Sequence, residues 1–325
     1  MTRLLITGAG GLLGANLALD ALAAGHQVIA VDFQHPIRHP EIESVKANLS
    51  APGAAREVFA EYRPGWAIHC AAAVDVEACE ADPETAVRLN RDMAGHVAMA
   101  ARAVGARLAH ISTDAVFDGE RGGYTEEDEP HPINVYGLSK LDGERVVLSE
   151  CPQALVVRTN IYGWNARPKL SLSEWFLERL RRGERCTGFT DVTFSPMAVG
   201  DLAACVLQLL PLSVAGVLHV AGGEVISKYE FSRGVAAAFG LSPAPIIPGS
   251  VEASPLRARR PHRLGLDVRQ AESVLGKPLP QVEAGLRRWR EQERDGTVDR
   301  LRALIVQPRS ASAGMQTHTM EEESP

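Results

Sequence analysis

The chain has 325 residues, 45% of them hydrophobic, and a formal net charge of −6. That length supports a sizeable buried core and one large or two smaller domains, and the mildly acidic balance gives no reason to expect a nucleic-acid surface. Five scattered cysteines without Cys-x-x-Cys spacing argue against a disulfide framework or a zinc site, and with no signal-peptide pattern at the N-terminus they fit a reducing, cytoplasmic setting.

Arg3 to Thr7 is a short apolar run ending in glycine, which predicts a buried parallel strand. Gly11 to Ala24 has helical periodicity and stops at Gly25. His26 to Asp32 predicts the second strand, Ala54 to Tyr62 a helix, and Trp66 to Cys70 a strand. Pro83 to Val104 reads as one long alanine-rich helix, Arg107 to Ser112 as a strand, Asn134 to Ser149 as a helix and Ala154 to Thr159 as a strand. This alternation predicts an α/β fold, a Rossmann-type doubly wound parallel sheet with helices on both faces.

After Gly163 the rhythm changes. Leu172 to Arg182 predicts a helix, and Val199 to Ala221 a further helix and strand of the main sheet. Gln208, Pro211, Ser213 and His219 interrupt that apolar stretch, so it does not read as a membrane span. Pro243 to Pro261 looks like a binding loop, and Leu264 to Trp289 predicts one or two small helices. A dinucleotide-binding domain is therefore expected over 1–163 plus about 196–223. A smaller α/β substrate-binding lobe is expected over about 164–195 plus 224–304, followed by a disordered tail over 307–325.

Gly8, Gly11 and Gly14 form a Gly-x-x-Gly-x-x-Gly loop between a predicted strand and a predicted helix. In that setting the loop serves a tight turn, close backbone approach to a pyrophosphate and close helix–strand packing, with Leu12 and Leu13 in the first turn. Asp32 ends the second strand, 18 positions after Gly14. A carboxylate there accepts from ribose hydroxyls and repels a 2′-phosphate, so NAD(H) is favoured over NADP(H), with Arg38 and His39 close enough in sequence to offset the repulsion. Tyr136 and Lys140 stand four apart on a predicted helix, on one face. A nearby ammonium lowers a phenol's pKa, which makes the pair a usable proton donor or acceptor for a carbonyl. Thr113, with Ser112 as the local alternative, ends a strand where ligands of such sheets bind. Arg257, Arg259, Arg260 and Arg263 cluster in a proline-flanked loop and read either as a solvated loop or as an anion site. No histidine set has metal-ligand spacing, and no metal is expected.

With the glycine loop, His69 to Ala73, Asp82-Pro83-Glu84 leading to Asn90, Ser112 to Gly119, Pro132 to Lys140, Arg158 to Gly163 and Arg260-Pro261, the chain resembles the extended short-chain dehydrogenases/reductases. Within them it is similar to the dTDP-4-dehydrorhamnose reductase branch. The resemblance implies that Tyr136 donates a proton to a sugar ketone, Lys140 holds the nicotinamide ribose and Thr113 orients the carbonyl. It implies cofactor contacts at Asn48, Leu49, Ala71, Ala72, Ala73, Asn160 and Ile161, and substrate contacts at Asp114, Phe117, Trp164 and Arg260. The implied partner is a nucleotide-sugar substrate, with a homodimer as the implied assembly. Asn48 stands where relatives commonly carry Asp, Ala115 where they carry an aromatic, and Ile161 near a usual Trp, which alters the expected sugar pocket. The implied activity is reduction of a nucleotide-linked 4-keto-6-deoxysugar. A nucleotide-sugar epimerase with tightly held NAD, or a cofactor-binding regulatory subunit, is the alternative.

Overall fold

The computed structural model describes residues 2–305; the tail expected over 307–325 lies outside the described residues. The main-sheet strands are β1 (Arg3–Thr7), β2 (Gln27–Asp32), β3 (Ile42–Lys46), β4 (Trp66–His69), β5 (Arg107–Thr113), β6 (Leu155–Thr159) and a seventh, Gly216–His219. Their order across the sheet is Gly216–His219, β6, β5, β4, β1, β2, β3, with every pairing parallel. β1 lies inside, because the chain winds outward to β2 and β3 and then returns to lay down β4, β5 and β6 on its other side. That reversal opens a crevice at the carboxyl ends of the strands, where Thr7, Asp32, His69, Thr113 and Thr159 stand. Leu4, Leu5 and Ile6 of β1 are wholly buried, as an apolar run in a doubly covered sheet must be. β3 is the main-sheet strand missed in the sequence. Its Ile-Glu-Ser-Val-Lys run is mostly exposed along the sheet edge and carries no continuous apolar signal.

The helices are α1 (Leu12–Ala23), α2 (Ala54–Tyr62), α3 (Val76–Ala81), α4 (Pro83–Val87), α5 (Met93–Val104), α6 (Val135–Glu150), α7 (Leu172–Arg181), α8 (Val199–Leu209), α9 (Lys228–Phe239), α10 (Arg269–Leu275), α11 (Val282–Arg294) and α12 (Thr297–Ala303). α1 packs against α8, α2 against α5, and α5 against α6. Buried residues of α1 and α8 belong to one apolar cluster and those of α2 and α5 to another, so the sheet is covered on both faces. The single helix expected over 83–104 is instead α4 and α5 joined by a π turn at Arg88–Asp92, with α3 before it. Asp75 and Asp82 cap α3 and α4 by accepting from the Ala78 and Thr85 amides, both at 3.1 Å.

The later segments add helices and short two- and three-stranded sheets outside the main one. Capping boxes at Ser171/Glu174 and Ser227/Glu230 start α7 and α9. Short strands pair Cys186–Phe189 with Ile246–Gly249, and Thr193–Phe194 with both Ile226–Ser227 and Arg263–Leu264. α11 runs well past the expected Trp289. Among the described residues no helix is long and apolar enough to cross a membrane.

Candidate active site

The glycine loop turns at Gly8, whose φ is +64°. A Cβ on Gly14 would lie 2.2 Å from the Gly8 carbonyl oxygen, so only glycine allows α1 to start this close to β1. The N-cap of α1 is Gly11, which has no side chain to occupy the first-turn amides. A Cβ on Gly11 would meet only the Gly8 oxygen, at 3.1 Å, leaving the rest of that face open. Free amides, an open face and the positive end of a helix are what a dinucleotide diphosphate requires.

A cleft of about 620 Å³ runs from this loop to α6. Gly8, Gly11, Leu12, Leu13, Gly14, Asp32, Asn48, Leu49, Ala71, Ala72, Thr113, Tyr136, Lys140, Asn160 and Ile161 line it, so the expected cofactor and catalytic sets share one wall-to-wall cavity. Asp32 is held in place by three amides: Oδ2 accepts from Gly10 at 3.1 Å, and Oδ1 accepts from Gln34 at 3.0 Å and His35 at 2.8 Å. Neither Arg38 nor His39 lines the cleft, whereas Phe33, Gln34 and His35 do. The Asn48 side-chain oxygen already accepts from Ser50 Oγ at 2.8 Å. Ala73 does not line the cleft. Its amide donates to Asn90 Oδ1 at 2.7 Å and its carbonyl accepts from Asn90 Nδ2 at 3.0 Å. Asn90 sits on the π turn and also donates to Ser139 Oγ at 2.9 Å, which ties the Ala71–Ala73 segment to α6.

Asn134 caps α6, its side-chain oxygen accepting from Gly137 N at 2.8 Å. Tyr136 and Lys140 follow on the face that borders the cleft. Burial pushes the Tyr136 phenol up to about 12; Thr113 pulls it down and the Asp114 charge raises it. The Lys140 ammonium is brought down to about 8 by burial, against the Glu144 carboxylate one turn on, which raises it. Its Nζ donates to the Ile111 carbonyl at 2.6 Å. In the chain alone burial outweighs the Thr113 hydrogen bond, and Lys140 is not among the groups that move the phenol; the expected lowering calls on the nicotinamide cation as well as the ammonium.

None of the four expected substrate contacts lines this cleft. Phe117 is wholly buried, stacked on Tyr124 at 4.2 Å with the Arg158 guanidinium 5.1 Å from its ring centre. Trp164 is buried against Trp289 and Phe239, and its Nε1 donates to the Trp289 carbonyl at 2.8 Å. Both are core residues whose aromatic area holds the fold together, and neither borders the cleft. Asp114 lies behind Thr113, with Oδ1 accepting from Thr113 at 3.1 Å and Oδ2 from Asn160 at 2.8 Å. Burial raises its carboxyl to about 6, while Asn160 and Thr113 pull it down. Arg260 lines a second cavity of about 790 Å³ together with Arg257, Arg259, His262 and Arg263. Its Nη2 donates to Glu77 at 2.8 Å, and Glu77 also accepts from the Arg257 amide at 3.0 Å. No local pattern marks Glu77 as the partner, because the two lie 183 positions apart. Lys228, at the start of α9, was likewise missed; burial lowers its pKa and the Asp114 charge raises it. No group of three or more metal-ligating side chains gathers among the described residues.

The family model described as the RmlD substrate binding domain matches residues 1–294. A dTDP-4-dehydrorhamnose reductase of Mycobacterium tuberculosis is 37% identical over 278 residues, covering 82% of this chain and 86% of its own length. The methionine adenosyltransferase 2 subunit beta of Pongo abelii is 34% identical over 299 residues, covering 86% of this chain and 84% of its own. The crystal structure of a Bacillus anthracis dTDP-4-dehydrorhamnose reductase in complex with NADP superposes with a TM-score of 0.80 at 29% identity, covering 90% of this chain and 99% of that one. The glycine loop, the Tyr136–Lys140 face and the whole-length match agree: the chain belongs to the RmlD substrate binding domain family of extended short-chain dehydrogenases/reductases, a family of NAD(P)-dependent oxidoreductases.

Proposed function

We propose that this protein reduces the keto group of a nucleotide-linked 4-keto-6-deoxysugar, as a dTDP-4-dehydrorhamnose reductase does. The observation that carries the reading is that Thr113, Tyr136 and Lys140 line the same cleft as the glycine loop. Reduced nicotinamide, when bound, supplies the hydride. Tyr136 is the acid: a phenol held up near 12 is protonated at neutral pH and has a proton to give to the carbonyl oxygen. Thr113 orients that oxygen through its hydroxyl. Lys140 stabilises the phenolate left behind, which regains a proton from solvent. One of its three ammonium hydrogens is committed to Ile111, leaving two for the ribose and the phenolate side.

Asp32 supports NAD(H) as the preferred cofactor, and Arg38 and His39, which could have offset its charge against a 2′-phosphate, do not line the cleft. The arginine-lined cavity suits the substrate's diphosphate, with Arg260 exchanging Glu77 for phosphate oxygens. The test is reduced-nicotinamide absorbance with dTDP-4-keto-6-deoxyglucose and its epimerised derivative, run separately with NADH and NADPH. Consumption supports the reductase; none with either cofactor sinks it.

The similarity to a methionine adenosyltransferase subunit beta favours a second reading, a cofactor-binding regulatory subunit. A stoichiometric partner in a pull-down, with no turnover on any nucleotide sugar, selects it. A nucleotide-sugar epimerase would instead purify with stoichiometric cofactor.

A further inference from the structure

The cations bordering the cleft are unequally used. Lys140 donates to Ile111, and Lys169 lies 4.0 Å from Asp75 across the cleft mouth. Arg167 borders the same cleft. Its guanidinium makes no hydrogen bond or ion pair among the described residues, and its Nε is buried without a partner. A buried donor left without an acceptor is destabilising, and in a cleft it marks where a ligand's acceptor belongs.

The backbone around Arg167 is fixed. Its amide donates to Asn165 Oδ1 at 3.2 Å, and the Asn165 amide donates to Glu174 Oε1 at 3.2 Å. One residue earlier, the Trp164 carbonyl accepts from Asn16 Nδ2 at 3.1 Å, and the same amide group donates to the Leu12 carbonyl at 2.7 Å. Asn16 thus bolts the 164–167 segment to the first turn of α1. That is the turn whose amides Gly11 leaves without a side-chain cap. Uncapped amides and an unpaired guanidinium face one cavity from two segments joined by a single side chain.

A dinucleotide diphosphate carries two negative charges, and the helix end offers only about half a positive charge. A guanidinium supplies a full charge and a planar fork that fits phosphate oxygens. We propose that Arg167 is the side-chain partner of the cofactor's diphosphate, meeting it in the cavity that it shares with the first turn of α1. The inference rests on the reading of this cleft as a dinucleotide site. Arg167 is half-buried, so its replacement does not empty the core.

The test is binding, not turnover. Wild type, R167Q and R167K are titrated with NADH by nicotinamide fluorescence, with ADP-ribose and adenosine as competitors, and melting temperatures are compared. R167Q is expected to weaken NADH and ADP-ribose roughly ten- to hundredfold, to leave adenosine unchanged, and to flatten the loss of NADH affinity with added salt. R167K is expected to recover part of the affinity. Equal NADH and ADP-ribose affinities in R167Q and wild type overturn the proposal. So does a loss confined to dTDP or UDP, which would assign the guanidinium to the substrate's diphosphate. If wild type binds neither NADH nor ADP-ribose, the dinucleotide reading itself fails, an outcome distinct from a failure of Arg167 alone.

Discussion

Glu144 and Arg158 form a two-pronged ion pair in the interior, Nε to Oε1 at 3.1 Å and Nη2 to Oε2 at 2.7 Å, with side chains 2% and 4% exposed. Ser112 donates to the same carboxylate. The pair joins α6, which carries Tyr136 and Lys140, to β6, which leads into Asn160. Replacing one partner leaves the other charged and buried. Glu144→Gln is expected to destabilise by about 3–5 kcal/mol in urea unfolding. The double variant E144L/R158M is expected to be less destabilised than the sum of its single changes. Strict additivity would show that the two side chains are not coupled.

Tyr136→Phe removes the proposed proton donor and keeps the ring. Turnover is expected to fall roughly 10²- to 10⁴-fold, with NADH affinity nearly unchanged. Undiminished turnover would sink the assignment of Tyr136 as the acid.

Asp114 gives the protein a pH dependence of known sign. Its carboxyl is raised by burial from 3.8 to about 6, so the folded state binds the proton more tightly than the unfolded chain. The associated stability is fully present below about pH 4 and is lost as pH rises through about 6. At roughly 1.4 kcal/mol per pH unit the loss reaches up to about 3 kcal/mol. Asp114→Asn should remove this slope. Melting temperatures at pH 4, 5, 6 and 7 for both proteins check it, and parallel curves would contradict it.

On the proposed reading Asp32 sets the cofactor. Asp32→Ser removes the charge that opposes a 2′-phosphate and is expected to shift the NADPH-to-NADH ratio of kcat/KM toward NADPH by roughly tenfold. The same change frees the Gly10, Gln34 and His35 amides, so a modest drop in melting temperature should accompany it. An unchanged ratio would remove Asp32 from cofactor choice.

The parts of the site that were legible in the sequence are those fixed by short-range geometry. The glycine spacing, the strand-end Asp32 and the one-turn separation of Tyr136 and Lys140 each act within a strand, a turn or a helix face. The parts that were not legible depend on who comes to meet whom. Phe117 and Trp164 sit in motifs that suggest a sugar pocket, yet Tyr124 and Trp289 claim them for the core. Arg260 reads as free until α3 brings Glu77 to it. Arg167 carries no local signal, because its significance comes from Asn16 on a distant helix. β3 failed for a different reason: an edge strand with one face in solvent needs no apolar run.

The π turn at Arg88–Asp92 has a consequence for which changes of chain length this protein tolerates. Such a turn is a helix wound with one residue too many, and each residue of a regular helix rotates the next by about 100°. Deleting one residue there would let α4 and α5 fuse into a continuous rod. Asn90 would then swing off the Ala73 segment and the α6 helix that it now clasps together. The surplus residue works as a spacer, and this wall of the cleft is set by a count of residues as much as by their identity.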